Sequence, residues 1–402
     1  MDASSVIFQL LIILVFARVF GEILAYFGAP PVIGELVAGI VIGPSIFGWV
    51  EMNAVIKIMG EIGVILLLFD VGLETDLQKL AKTGIKSVVV AIGGFFAPFA
   101  LGFALSYWWF ELPLLSALFV GGALTATSIG ITIRVLGDMN RLNSTEGQIT
   151  LGAAVLDDIL GVILLAVLFD FSTKGQIDWL NTLTILAFVS IFFLIAPIIA
   201  KIFARQIQKL DSRVNYPGLK PTTVVALVLF FAWLAHFFGA PELLGGFAAG
   251  IALSRRFFLP FGAALHNEKE FAQKIEVQIR PIVQLFTPIF FVSVGLSLDL
   301  GQIDWQSSFF WYFSLALLVV AIVTKFTGAM LIKEPWERKV VIGMSMVPRG
   351  EVGLIFTGLG ASAAVFSDEV YTALVMVIVY TTVLSPFWIK LYYKYKGDKL
   401  ES

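Results

Sequence analysis

Long apolar runs follow one another along the whole chain, and they limit its fold more than any other feature. A helical membrane span needs about 20 apolar residues, and thirteen runs meet that length. They cover residues 5–26, 30–49, 55–73, 84–108, 113–136, 147–171, 180–205, 222–239, 242–260, 276–298, 306–332, 337–365 and 368–393. The sequence therefore predicts an all-α membrane protein whose thirteen transmembrane helices form a single unit over 1–393, followed by a short tail, 394–402.

The composition agrees with this prediction and excludes several classes of protein. Only 14% of the residues are charged, against about 25% in a soluble domain. A formal net charge of −2 gives no reason to expect nucleic-acid binding. The chain has no cysteine, which excludes disulfides and thiolate metal sites. We expect a lipid bilayer as its surroundings, no cofactor and no enzymatic activity.

Lysine and arginine are divided unequally between the two sets of loops. The loops after spans 3, 5, 7, 9 and 11, with the C-terminal tail, carry most of the 27 basic residues, whereas the opposite side of the membrane holds Lys57 and Lys174. Basic loops stay in the cytoplasm. The distribution therefore predicts an N-terminus outside and a C-terminus in the cytoplasm.

The sequence also repeats itself at an offset of seven spans. GAPPVIGELVAGIVIG (28–43) resembles GAPELLGGFAAGIAL (239–253), FDVGLETDL (69–77) resembles VSVGLSLDL (292–300), and LTATSIGI (124–131) takes the place of VPRGEVGL (347–354). An odd offset gives the two copies opposite orientations in the membrane. We therefore predict an inverted repeat, 1–171 and 222–393, joined by a linker helix over 180–205. Secondary transporters of this design bind substrate near the midplane, between the repeats.

Two adjacent aspartates, Asp157 and Asp158, lie midway along the sixth predicted span. Charged side chains inside a membrane are costly and therefore indicate function. Neighbouring residues point about 100° apart on a helix, so the two carboxylates should have different partners. A buried carboxylate that holds either a proton or a cation supplies the competition that an exchanger needs. The alternative is a pair neutralised by nearby basic groups.

Lys325 and Glu35 are two of the other charged residues within predicted spans. Lys325 is interpreted as a buried partner for one aspartate, in a pair that breaks and releases a proton when sodium arrives. The alternative is that its side chain extends to the nearby cytoplasmic surface. Glu35 has no counterpart in its repeat, where Gly246 stands. We expect Glu35 to line a pathway or to serve a dimer.

Two spans contain residues that interrupt helices: Gly130 in the fifth, and Pro348 with Gly350 in the twelfth. Such residues free backbone groups that protein or water must satisfy. They also expose half-helix ends with partial charges. We therefore expect two discontinuous helices that cross at the midplane.

Polar residues beside these interruptions are candidates for two roles. Arg349 and Glu351 are expected to compensate the charges of the helix ends. Thr125, Thr127 and Ser128 offer hydroxyl or carbonyl oxygens, which are the ligands that hard cations prefer.

These segments together resemble a known family. TATSIGITIRVL, AAVLDDILG, Lys325 and MVPRGEVGLIF resemble the monovalent cation:proton antiporters, in particular the bacterial NapA-type branch of the second cation:proton antiporter family. The resemblance implies a sodium/proton antiporter fold of thirteen helices, a homodimer, and an elevator-like motion of a core against a dimerisation domain. We place the core in spans 84–171 and 306–393, and the dimerisation scaffold in 1–73 and 222–298.

The resemblance also implies roles for single residues. It assigns binding of the transported cation, Na+, to Asp158, and a salt bridge with Lys325 to Asp157. We add Thr127 and Ser128 as further ligands of the ion. The aspartate pair with a lysine resembles the electrogenic members, which move two protons per sodium. The implied function is exchange of Na+, and of Li+ as a further substrate, for H+ in sodium transport and pH homeostasis.

Three alternatives stay open. One is potassium/proton exchange by the same fold, because no motif in the sequence distinguishes cations by size. A passive cation channel is another, although a channel needs neither an inverted repeat nor a titrating pair at the midplane. The third is an intramembrane aspartyl protease, whose aspartates face each other from two helices. Here the two are adjacent, and no GxGD motif exists.

Overall fold

The structure is a computed structural model that describes residues 3–27, 29–74, 77–174, 219–239, 241–253, 268–362 and 365–396, with scattered positions between 180 and 202. All regular structure in these ranges is helical, which confirms the all-α prediction. The first seven helices are α1 Ala3–Tyr26, α2 Pro31–Ile42, α3 Ala54–Glu74, α4 Leu77–Ala104, α5 Leu114–Thr125, α6 Ile129–Asp138 and α7 Thr145–Lys174. The next seven are α8 Leu219–Phe237, α9 Glu242–Leu253, α10 Glu268–Leu296, α11 Ser308–Leu331, α12 Trp336–Ser345, α13 Glu351–Ser362 and α14 Asp368–Lys396.

These helices correspond to twelve of the thirteen predicted spans, because α5 with α6 and α12 with α13 each form one interrupted span. The remaining span, 180–205, falls largely outside the described residues. Seven spans among the described residues are long and apolar enough to cross a membrane. The prediction of 30–49 as one helix was wrong at its end: α2 stops at Ile42, and Gly43 is extended. The physical reason is Pro44, which disfavours a helical conformation in the residue before it.

The sequence repeat reappears as a pair of matching glycine contacts. Gly39 of α2 packs against α10, where a Cβ on Gly39 would lie 2.8 Å from the Gly295 Cα. Gly250 of α9 packs against α3, where a Cβ on Gly250 would lie 2.9 Å from the Gly72 Cα. The repeat aligns Gly39 with Gly250 and Gly72 with Gly295. Each of the two contacts therefore joins a glycine of one copy of the repeat to a glycine of the other copy. Such close packing of small residues is common between membrane helices.

The chain divides into two compact units. One consists of Met1–Met52, Thr83–Thr182 and Val292–Ser402, and contains both interrupted spans. The other consists of Asn53–Lys82 and Leu183–Phe291, and contains α3, α8 and α9. The predicted division into a core and a dimerisation scaffold stays a prediction.

The interrupted spans are packed by an apolar cluster in the first unit. Its buried members come from α5, α7, α11, α13 and α14, and include Phe119, Leu168, Phe313, Phe356 and Leu374. Lipid chains are as apolar as these side chains, so removal from water does not hold the helices together within a bilayer. Close packing supplies the attraction instead, through many weak dispersion contacts. The cluster therefore holds α5 and α13 against α7, α11 and α14.

Candidate ion-binding site

Two spans are interrupted by short non-helical segments. Residues 126–128 separate α5 from α6, and both Ala126 and Ser128 have extended backbones. Residues 346–350 separate α12 from α13. They include Pro348, which has no N–H to donate to a helix. Gly130 does not mark the first interruption, because it lies inside α6.

The two non-helical segments meet and form hydrogen bonds with each other. The Ser128 N–H donates to Pro348 O over 2.8 Å, and the Thr127 hydroxyl donates to Met346 O over 3.1 Å. A Cβ on Gly350 would lie 2.5 Å from Ser128 Oγ, so the approach requires glycine. Backbone groups freed by one interruption are thus satisfied by the other, as a membrane interior requires.

One member of the aspartate pair forms a buried salt bridge. Lys325 Nζ lies 3.0 Å from Asp157 Oδ2, and both side chains have 0% exposure. The second oxygen, Asp157 Oδ1, has no hydrogen-bond partner among the described residues. Because the Lys325 side chain is fully buried, the alternative in which it extends to the cytoplasmic surface does not fit the structure.

Asp158 lies next to this salt bridge and is also buried, with 3% exposure. Its direction on α7 differs from that of Asp157 by about 100°. It interacts electrostatically with Lys325, whereas the direct hydrogen bond of Lys325 is to Asp157. The two carboxylates therefore differ in their surroundings, as expected from their spacing.

Two buried cations meet the C-terminal end of α5. Lys325 Nζ donates to Thr125 O over 2.6 Å. Arg349 Nη1 donates to Ala126 O over 2.7 Å, and its Nη2 donates to Ala321 O over 3.4 Å. The C-terminus of a helix carries a partial negative charge, which cations stabilise. Arg349 is therefore placed where the expected compensation of a helix end would occur.

Sequence reasoning missed two hydroxyl groups that support the crossing. Thr382 of α14 donates to Arg349 O, and Thr132 of α6 donates to Ser345 O over 2.6 Å. Both threonine side chains are buried. A threonine in an apolar helix is too common to single out, although such hydroxyls often satisfy freed backbone groups. The side chain of Glu351, which begins α13, lies outside what the structure describes.

The site contains two acids and two bases: Asp157, Asp158, Lys325 and Arg349, each with at most 3% exposure. With all four ionised, their charges cancel. Among the described residues no group of three or more His, Cys, Asp or Glu side chains is arranged to hold a metal ion. A cation bound here would take a carboxylate with hydroxyl and carbonyl oxygens as ligands. One proton or one monovalent cation changes the charge of this site by the same amount.

Comparison with known proteins gives one family and several full-length relatives. The family described as sodium/hydrogen exchanger, transmembrane, matches residues 10–394. The chain is 32% identical to the high-affinity Na+/H+ antiporter NhaS3 of Synechocystis sp., covering 99% of this chain and 91% of the relative. It is 34% identical to the Na+/H+-K+ antiporter GerN of Bacillus cereus, covering 98% of both chains.

The fold also matches a solved structure. The sodium proton antiporter MjNhaP1 from Methanocaldococcus jannaschii superimposes with a TM-score of 0.71 at 17% identity, covering 100% of this chain and 98% of that one. At this identity the likeness shows the fold alone. The predicted sodium/proton antiporter fold is confirmed.

Proposed function

This chain belongs to the sodium/hydrogen exchanger family, and on that premise we propose that it exchanges Na+ for protons at Asp158. It is an integral membrane protein, and its activity is the exchange of a monovalent cation for protons. Na+ as the ion, the roles of single residues, the coupling ratio and the motion are parts of the proposal. NhaS3 and GerN both carry Na+/H+ exchange in their names, which supports Na+.

The observation that carries the proposal is the buried group of two acids and two bases around the Asp157–Lys325 contact of 3.0 Å. A cation that binds Asp158 brings a positive charge close to the Lys325 ammonium. That charge repels the ammonium, so the pair opens and a proton leaves. Protonation of the group reverses these events and expels the cation. The same site thus holds either species, but not both at once.

The oxygens of Thr127 and Ser128 are proposed as further ligands of the cation. The Thr127 hydroxyl donates its proton to Met346 O, which leaves its oxygen lone pairs to accept a cation. Na+ prefers oxygen ligands, as other hard cations do. One proton from Asp158 and one from the Lys325 pair per Na+ would move net charge, so we expect electrogenic exchange.

Alternating access is proposed to follow from motion of the core, 84–171 and 306–393, against a scaffold of 1–73 and 222–298. The scaffold is proposed to form a homodimer, with the N-terminus outside and the C-terminus in the cytoplasm of a bacterial cell. Mass measurement in detergent and in native lipid tests the dimer. The mass of a single chain in both media would contradict it.

Potassium is the second candidate for the transported ion, and one observation favours it. The name of GerN includes K+ beside Na+, at 34% identity over 98% of this chain. Na+ and K+ carry the same charge, so the charged residues of the described site do not distinguish them. Li+ is a further candidate substrate.

Purified protein in proteoliposomes, loaded with a pH-sensitive dye, tests the ion and the coupling together. We expect Na+ to drive proton movement, Li+ to replace it, and a voltage clamp set by an ionophore to change the rate. Proton movement driven by K+ alone would move the assignment to potassium. Cation flux without any proton movement would favour a passive channel instead.

A further inference from the structure

A second charged contact links α2 to α6, apart from the aspartate pair. Glu35 of α2 is buried, with 5% exposure. Arg134 Nη2 of α6 lies 3.9 Å from Glu35 Oε1, and Arg134 Nε lies 3.5 Å from Asp138 Oδ2 on its own helix. Both distances exceed the roughly 2.7–2.9 Å of a strong charge-assisted hydrogen bond. The Arg134 guanidinium therefore lies near two carboxylates, Glu35 on α2 and Asp138 one turn further along α6. Neither contact is short enough to be a strong hydrogen bond.

Helix α2 is held closely by α1 and α10. A Cβ on Gly34 would lie 2.6 Å from Gly21 N of α1. A Cβ on Gly39 would lie 2.8 Å from Gly295 Cα of α10. Backbones that approach this closely leave no room for sliding, because any shift brings a side chain into the contact. Glu35 therefore lies on a helix in close backbone contact with α1 and α10.

Helix α6 is held instead by the other interrupted span. The Thr132 hydroxyl donates to Ser345 O over 2.6 Å, and the Ser128 N–H donates to Pro348 O over 2.8 Å. These bonds cross between α6 and the C-terminal end of α12 with its following segment. Arg134 therefore belongs mechanically with the interrupted spans and the ion site.

Helix α2 also has an apolar contact with the helices around the site. Ile40 of α2 packs against a cluster that includes Ile378 and Val379 of α14. Such contacts are not directional, so one apolar surface can shift along another at small cost. The Glu35–Arg134 ion pair, in contrast, is specific to one position of α6 along α2.

We propose that Glu35 and Arg134 form a latch that is closed in this conformation and opens during transport, with Arg134 then paired to Asp138 alone. This inference rests on the proposed function, and in particular on motion of the core against the scaffold. Asp138 moves with Arg134 because both lie on α6, so the guanidinium keeps an anionic partner in both positions. Arg18 interacts electrostatically with Glu35, and Lys390 with Asp138. The two carboxylates thus keep cationic neighbours when the latch opens.

Reversible cross-linking tests whether Glu35 and Arg134 move relative to each other. The chain has no cysteine, so a Glu35→Cys/Arg134→Cys double variant contains only the two reporter thiols. A bifunctional methanethiosulfonate reagent bridges thiols over a longer distance than a disulfide allows. We expect bridging to abolish Na+/H+ exchange in proteoliposomes, and a reductant to restore it.

A matched control uses an ion pair inside the proposed core. Lys86 Nζ lies 2.5 Å from Glu334 Oε1, and α4 and the residues before α12 are both assigned to the core. Bridging Lys86→Cys/Glu334→Cys should leave exchange unchanged. Exchange that continues after the Glu35–Arg134 positions are bridged would overturn the latch. Absence of exchange in the unmodified protein would overturn the proposed function instead.

The nearly isosteric Glu35→Gln variant provides a second measurement that needs no cross-linking. The latch stabilises one end state of the motion, so its loss should change turnover per folded transporter by up to about fivefold. The KM for Na+ should stay within about twofold, because Glu35 does not touch the ion. Unchanged turnover per folded protein, or a change confined to KM, would contradict the latch.

Discussion

Lys325 Nζ and Asp157 Oδ2 lie 3.0 Å apart, and both side chains are fully buried. A buried ion pair is weak support for stability, since apolar residues of the same volume often serve a fold equally well. Two charges held inside a membrane protein therefore indicate a use beyond folding. Here the pair lies beside a second carboxylate and at the end of an interrupted helix, where a change of charge can be coupled to motion.

Removing one member of this pair should destabilise the protein more than removing both. Lys325→Gln leaves the Asp157 carboxylate buried without its cation, which costs about 3–5 kcal/mol. The double variant Asp157→Asn/Lys325→Gln has no uncompensated charge and should regain most of that loss. Thermal unfolding of the purified proteins measures the order of Tm. A Tm of the double variant no higher than that of Lys325→Gln would contradict the predicted recovery.

The same lysine should also determine how much charge is moved. In the proposed mechanism Lys325 supplies one of the two protons exchanged for each Na+, so Lys325→Gln should make exchange less dependent on membrane voltage. Proteoliposomes with potentials set by valinomycin and K+ measure this dependence. An unchanged rate, pH profile and voltage dependence in Lys325→Gln would remove the lysine from the mechanism.

Contact between the two interruptions should depend on Gly350. Its replacement by alanine would bring a Cβ to 2.5 Å from Ser128 Oγ, and overpacking of this kind costs about 1–3 kcal/mol. Gly350→Ala should therefore lower Tm and slow exchange. Gly358 of α13 is the matched control, because a Cβ there would meet nothing within 4 Å. Gly358→Ala should raise stability by about 0.5–1 kcal/mol, and a Tm loss as large as that of Gly350→Ala would contradict this account.

Thr127 should contribute to the affinity for the cation. Thr127→Val keeps the shape of the side chain and removes the oxygen proposed as a ligand, so the KM for Na+ should rise several-fold, roughly the effect of one lost polar contact. Thr372→Val is a suitable control, since the Thr372 hydroxyl donates to Asp368 O of its own helix over 2.9 Å. A KM that is equally raised in both variants would assign Thr127 to the structure rather than to the ion.

Much of the site could be predicted from sequence because a charge within an apolar run is a strong signal. Asp157, Asp158, Lys325 and Arg349 all stood out for this reason. Their contacts could not be derived from spacing, since Asp157 on α7 and Lys325 on α11 are 168 residues apart and meet only in the folded chain. The family resemblance implied the pairing of Asp157 with Lys325, and the two side chains are in contact in the structure.

Local details were less predictable, for reasons specific to each residue. Gly130 was expected to interrupt a helix, but the break precedes it, where Ala126 and Ser128 are extended and Ser128 bonds to Pro348. That conformation depends on the other interrupted span and has no local sequence signal. Glu35 was noted for its missing counterpart, whereas its contact with Arg134 required α2 and α6 to be placed together.

The central claim is that Asp158 carries the exchanged ion and proton, and one variant tests it most directly. Asp158→Asn has nearly the same shape and cannot ionise, so Na+ added to proteoliposomes should cause no more proton movement than in empty liposomes. Asp304→Asn, at an exposed position before α11, is the control and should transport as the unmodified protein does. Normal Na+-dependent proton movement in correctly folded Asp158→Asn would contradict the account.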